Sequence, residues 1–206
     1  MKIIYSPFYD SETYLGDAPN VMGVTYVGNM GLLQQLELRA YMHLEPIAEV
    51  EREAEYHNSM KNHLEHTMFE GSAQVDPMGV AAKLLCWRDA LVMAGWDGTC
   101  WQKEGNNKVS VLADIEQDFH AMGVSDCWRK VCQTYEEGVT LNGCIESIQL
   151  DYPWSEIPYL IQKTLLAIEK NGIPIKRLAI DETKSSALNA QNVQLLDFED
   201  GNEAYE

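Results

Sequence analysis

The eight residues Ser6-Pro-Phe-Tyr-Asp-Ser11-Glu12-Thr13 have the spacing of a phosphate-binding loop but little of its chemistry. Such a loop reads G-x-x-x-x-G-K-[ST] after a strand: glycines let backbone N–H groups face the phosphates, lysine neutralises them and the hydroxyl holds magnesium. Here Ser6 and Ser11 stand at the two glycine positions and Glu12 at the lysine, while Thr13 keeps the hydroxyl. Glu12 would set a carboxylate against phosphate charge, and Ser11 adds a Cβ where the backbone must come close. The expectation is a degenerate, inactive loop, or a surface loop unrelated to nucleotides.

The other chemistry-bearing residues form no complete constellation. His57, His63 and His66 fall in one expected helix with Glu53, Glu65 and Glu70, and His63-Leu-Glu-His66 could set two metal ligands on adjacent turns, yet the pattern is not H-E-x-x-H. A solvated face with scattered histidines is the preferred reading, and the same holds for His120 beside Asp114, Glu116 and Asp118. There is no G-x-S-x-G, and the spacing selects no Cys–His nucleophile pair. Trp87, Trp96, Trp101, Trp128 and Trp154 are not set in a basic-aromatic run, so they read as core or subunit-interface residues, with core preferred, rather than as base-stacking platforms. No catalytic residue, metal site or cofactor is expected.

The elements that must hold these residues are legible in outline. Lys2-Ile3-Ile4-Tyr5 reads as a first strand stopping at Ser6-Pro7, and Val21 to Val27 as a second. Gly31 to Arg39 turns helical with Asn29 as its N-cap, and a Glu-rich helix runs from Pro46 to about Met68. After Asp76-Pro77, the stripe Val80, Leu84, Trp87 and Leu91 marks a helix ended by Gly95. Leu112, Ile115, Phe119 and Met122 mark another closed by Gly123, and Ser125 caps the next, with Trp128, Val131, Cys132 and Tyr135 on its apolar face. Then Ile145, Ile148 and Leu150 suit a strand, and Ser155-Glu156 opens a helix ended by Asn171-Gly172. Ile175 to Ile180 and Val193 to Phe198 read as two short strands. This order predicts an α/β fold in which residues 1–28 and 144–206 build a parallel sheet around a mostly helical insertion at 29–143.

Composition bounds the function. Thirty-two acidic residues against 15 basic ones give a net charge of -17, so most of the surface should repel a phosphate backbone. Arg129-Lys130 and Lys176-Arg177 are too small to count as a basic patch. Five cysteines without a C-x-x-C pair argue for reduced thiols, and no apolar run approaches the length of a membrane span, so the expected location is the cytoplasm. The last ten residues, DFEDGNEAYE, read either as a helix beginning in a longer protein or as a natural acidic tail.

Three stretches together carry a family resemblance: Gly31-Leu-Leu-Gln-Gln-Leu-Glu-Leu-Arg39, Val75-Asp-Pro-Met-Gly-Val-Ala-Ala-Lys-Leu-Leu-Cys-Trp-Arg-Asp89 continuing to Asp97, and Ile157-Pro-Tyr-Leu-Ile to Gly172. They resemble the N-terminal region of AddB-like proteins of the PD-(D/E)XK nuclease family, large double-strand-break repair proteins with helicase-like modules ahead of a C-terminal nuclease. The resemblance implies a sheet of P-loop/helicase-like type, with Ser6, Ser11, Glu12 and Thr13 in the place of the phosphate loop. It also implies nuclease carboxylates beyond Glu206, in a parent protein that is an ATP-dependent exonuclease component. The present region would then be a non-catalytic scaffold contacting the rest of its polypeptide, a partner subunit and, through the full complex, DNA. The alternative is a free-standing acidic protein-interaction module.

Overall fold

The computed structural model describes residues 1–10, 22–100, 108–139 and 145–177. Ser11, Glu12 and Thr13 lie outside the described residues, as do the strand expected over Val193–Phe198 and the end of the one expected over Ile175–Ile180.

Among the described residues, four short strands, β1 (Lys2–Tyr5), β2 (Val24–Val27), β3 (Ser147–Leu150) and β4 (Ile175–Lys176), form one sheet in the order β2-β1-β3-β4. All neighbours are parallel, with Tyr5 opposite both Val27 and Leu150. Ile3, Tyr5, Val27, Ile148 and Leu150 thereby share one face, and all are buried. Parallel pairing requires each connection to bring the chain back to the same end of the sheet, and every connection here is long enough to do so.

Among the described residues, six helices lie between β2 and β3: α1 (Asn29–Arg39), α2 (Glu49–Met60), α3 (Glu70–Val75), α4 (Pro77–Met93), α5 (Lys108–Glu116) and α6 (Val124–Glu136). A seventh, α7 (Tyr159–Lys170), joins β3 to β4. α6 is the hinge of the packing. It lies along α7 and α4, and its Tyr135 hydroxyl donates to the Leu36 carbonyl of α1 at 2.8 Å. Trp96, Trp128, Tyr56 and Tyr135 are the bulkiest buried aromatics of this layer.

Local signals set most of these boundaries, and tertiary partners move the rest. Asp76 caps α4 by accepting from the Gly79 N–H at 2.9 Å, with Pro77 at the first helical position. Gly95 ends α4 at φ 96°, and a Cβ there would sit 2.7 Å from the Tyr159 ring, so only glycine suits the position. The Glu-rich helix stops at Met60 rather than near Met68; His66, at φ 62°, has left-handed backbone that no helix can continue through. α5 stops at Glu116, leaving Phe119 and Met122 on the approach to α6. α7 begins at Tyr159 because Pro158 holds its preceding residue out of helical geometry, and Ser155-Glu156 forms a 3-10 turn instead. The buried stripe of α4 is Ala81, Leu84, Leu85, Arg88 and Val92, one residue round from the expected Val80, Leu84, Trp87 and Leu91. Arg88 on that face is the fact with the widest consequences.

Candidate functional site

In open parallel sheets, ligands sit outside the carboxyl ends of the strands, where the strand order changes direction. The chain leaves β1 for β2 on one side and returns to β3 on the other, so that point lies between β1 and β3, directly at Ser6. The sequence-expected loop therefore begins at the ligand position of the fold. What fills the position is the chain itself.

Ser6 is buried and its N–H donates to the Val27 carbonyl at 3.2 Å. Pro7–Asp10 curl into a 3-10 turn in which the Tyr9 N–H donates to the Ser6 carbonyl at 3.0 Å. Among the described residues of this loop, the Ser6 and Tyr9 N–H donors are thus spent internally. The Tyr9 hydroxyl donates across the crevice to the Asp151 carboxylate beyond β3, and the Phe8 and Tyr152 rings meet edge-on with centres 5.5 Å apart. Burial and the Asp151 carboxylate push the Tyr9 phenol up to about 12, so it remains a donor at neutral pH.

Asp10 completes the closure. Its carboxylate accepts from the Met30 N–H at 3.0 Å and the Gly31 N–H at 3.3 Å, which are orphan donors of the first turn of α1. Asn29, expected as the cap, lies inside the helix and accepts from the Tyr5 hydroxyl at 2.7 Å instead. Gly28 at the cap position leaves room for Asp10, since a Cβ would overlap its carboxylate. A helix N-terminus attracts anions, and here it holds one supplied in cis. Asp10→Ala is expected to cost about 1 kcal/mol, or roughly 2–4 °C of Tm, with Asp10→Asn closer to the parent; thermal unfolding by circular dichroism measures it. An unchanged midpoint for Asp10→Ala would show that α1 does not depend on this carboxylate.

The largest electrostatic feature lies elsewhere, among α2, α4, α5 and α6. Arg88 is 3% exposed. Its Nε and Nη2 donate to Glu116 at 2.8 and 2.7 Å, its Nη2 and Nη1 to Asp126 at 2.7 and 2.9 Å, and its Nη1 to Asp89 at 3.0 Å. Arg52, also buried, makes a two-pronged pair with Asp89 at 2.9 and 3.0 Å, and Arg129 lies 3.6 Å from Glu116. Both buried guanidinium groups stand over the Phe119 ring, at 5.8 and 5.4 Å. Ser125, expected to cap α6, donates to Asp89 at 2.8 Å, while Gly123 takes the cap position and its N–H donates to Asp126 at 2.9 Å. Three arginines balance three carboxylates, and every acid is held by a guanidinium. Burial alone would raise the Asp89 pKa; the Arg52, Arg88 and Ser125 hydrogen bonds outweigh it and hold the carboxyl below its ordinary value. The spacing Ala81, Leu84, Leu85, Arg88, Val92 was the available signal: an arginine inside an apolar stripe needs a buried counter-ion.

The histidines do not converge. His63 Nε2 lies 2.7 Å from Asp118, His66 is exposed beside Glu65, and His57 lines a separate groove with Lys61, Leu64 and Glu70. No group of three His, Cys, Asp or Glu positioned for a metal occurs among the described residues. Burial pushes the Cys127 thiol up to about 11 and raises that of Cys132, the opposite of what a nucleophile needs. A cleft of about 490 Å³ opens at the C-terminal ends of α6 and α7, bridged by the Glu136–Lys163 pair at 2.9 Å, and none of Ser6 to Asp10 lines it. No helix among the described residues is long and apolar enough to cross a membrane. Compared with family models, curated proteins and solved structures, the chain matches none.

Proposed function

We propose that this chain is a non-catalytic, helicase-like N-terminal module of a DNA-repair helicase–nuclease. It serves as a scaffold contacting the remainder of its polypeptide and a partner subunit. One observation carries the non-catalytic part: at the ligand end of the sheet, the α1 amides hold the chain's own Asp10, and Tyr9 bridges the strand ends to Asp151. A nucleotide phosphate arriving there meets two carboxylates and spent N–H donors. Side chains such as Leu38, Tyr41, Val50 and Val75 stand exposed on the helical layer and offer apolar contact to a partner. Titration of the 206-residue chain with Mg-ATP is expected to give no binding heat up to millimolar nucleotide. Micromolar binding that disappears in Thr13→Val would overturn the reading.

The charge favours a second reading, since a net charge of -17 repels nucleotide and DNA phosphates alike. In that reading the chain is a free-standing acidic interaction module. The size of the native gene product separates the two.

A further inference from the structure

The stretch from the end of α1 to the first turn of α2 is apolar, acidic and strained at one residue. Leu38, Tyr41, Ile47 and Val50 are exposed along it, Tyr41 at 84% and Val50 at 77%. At the end of α1 the Ala40 N–H donates to the Leu36 carbonyl at 3.0 Å and the Met42 N–H to the Glu37 carbonyl at 2.9 Å. That pattern closes a helix through one left-handed residue, a place that glycine takes without strain. Here the residue is Tyr41, at φ 53°. Burial does not offset the strain, because the ring is exposed; a bulky side chain kept in such backbone points to a use for the ring itself. Both ends of the stretch are held in place. The Tyr135 hydroxyl of α6 donates to the Leu36 carbonyl at 2.8 Å, and the Ile47 N–H donates to the Met122 carbonyl at 2.9 Å.

Charge selects what the ring can meet. Glu45 is exposed in this stretch, and Glu49 and Glu51 stand exposed in the first turn of α2. From Leu38 to Glu51 the one lysine or arginine is Arg39, half-buried and donating to Gln35 at 3.2 Å, while His43 lies 2.8 Å from Glu45. Local acids add to a net charge of -17, so a nucleic acid, an anionic lipid surface and a second copy of this chain are all repelled. A cationic partner is drawn in. We propose that Leu38, Tyr41, Glu45, Val50 and the first turn of α2 form a docking surface for a basic amphipathic segment of another polypeptide. Its apolar side chains meet Leu38, Tyr41 and Val50, and its lysines or arginines face Glu45, Glu49 and Glu51. An exposed tyrosine fixed by its backbone is a suitable anchor, because a stiff aromatic loses little freedom on binding. The proposal gives residues and a chemistry to the partner contact of the helical layer, and it holds equally for a free-standing acidic module. It is read out without nucleotide, so it and the helicase-like reading can fail separately.

The experiment is fluorescence anisotropy of the full 206-residue chain with a labelled amphipathic helical peptide of leucine and lysine, at about 20–200 mM salt. Binding is expected to weaken as salt rises, and to be far weaker for oligolysine and for the same peptide with glutamate in place of lysine. Tyr41→Gly is the decisive variant, because its two effects have opposite signs. It should raise Tm by roughly 1–3 °C by relieving the strain, and weaken peptide binding on the order of 5–30-fold. Leu38→Ala should weaken binding without changing the far-ultraviolet circular dichroism, and Glu49→Gln/Glu51→Gln should flatten the salt dependence. Absence of binding at the lowest salt, equal affinity for oligolysine, or unchanged affinity in Tyr41→Gly would each overturn the proposal. So would sedimentation of the free chain as a dimer that Tyr41→Gly dissociates, since the surface would then serve a second copy.

Discussion

Arg88→Met is expected to lower the unfolding free energy by roughly 3–5 kcal/mol, because it strands Glu116 and Asp126 in a buried site built around one guanidinium. In a chain of this size that is on the order of 10 °C in Tm. Chemical and thermal unfolding measure it, with Lys61→Met as a control; that exposed lysine only meets Asn58, and its loss should fall within about 0.5 kcal/mol. Arg88→Lys should rescue little, since one ammonium cannot reproduce paired contacts to two carboxylates. An Arg88→Met protein as stable as the parent would mean that the network is dispensable.

Acid should act on the same network with a definite sign. The Asp89 carboxyl is held below its ordinary value, so the stability it contributes is fully present above the unfolded carboxylate pKa of about 3.9. That stability is lost as pH falls through the lower folded value. For Arg88, burial alone would lower the guanidinium pKa, but Glu116 and Asp126 reverse the effect and raise it, so it stays charged throughout the accessible range. Acid unfolding of the parent should therefore show this loss, and the Arg88→Met variant should begin to unfold at higher pH.

Gly123→Ala carries the second large effect, and its cause is not backbone strain. Gly123 has φ -111°, which any residue adopts. A Cβ there would lie 2.5 Å from both Nη atoms of Arg52, whose guanidinium is pinned by Asp89 and the Ala121 carbonyl. Making room means breaking the Arg52–Asp89 pair, a loss of about 2–3 kcal/mol. The same substitution in an Arg52→Met background should cost less than about 0.5 kcal/mol more, because the obstructing group is gone. Additive costs in the double variant would trace the effect to the cap of α6 instead.

Much of the frame was legible because its signals are local. β1 ends where Ser6-Pro7 says it must, Asp76-Pro77 opens α4, and Gly95 and Gly172 close helices at positive φ. The parallel sheet with a helical insertion follows from the alternation of those elements. What escaped was decided by partners distant in sequence. Asn29 looks like a cap, yet Asp10, nineteen residues earlier, performs the capping while Asn29 turns to Tyr5. Ser125 looks like a cap and instead serves Asp89. Trp87, expected in the core, packs partly buried against it, with Lys83 one turn away and Lys108 of another helix beside its ring. At the strand ends, Glu12 and Ser11 are the expected disabling residues and lie outside the described residues, while the Asp10 bond to an α1 amide and the Tyr9 bond to Asp151 are contacts that spacing could not reveal.

The strand order also dictates a timetable. β1, a central strand, pairs on one side with β2 a short way along the chain, and on the other with β3, which begins at Ser147. At translation rates of about 5–20 residues per second, β1 emerges several seconds before its second neighbour exists. Closing so long a loop is entropically unfavourable unless the intervening chain is already compact. The helices between β2 and β3 are therefore the part that must collapse first, drawing the two ends of the sheet together. Variants that loosen the arginine network should slow the completion of a sheet they never touch.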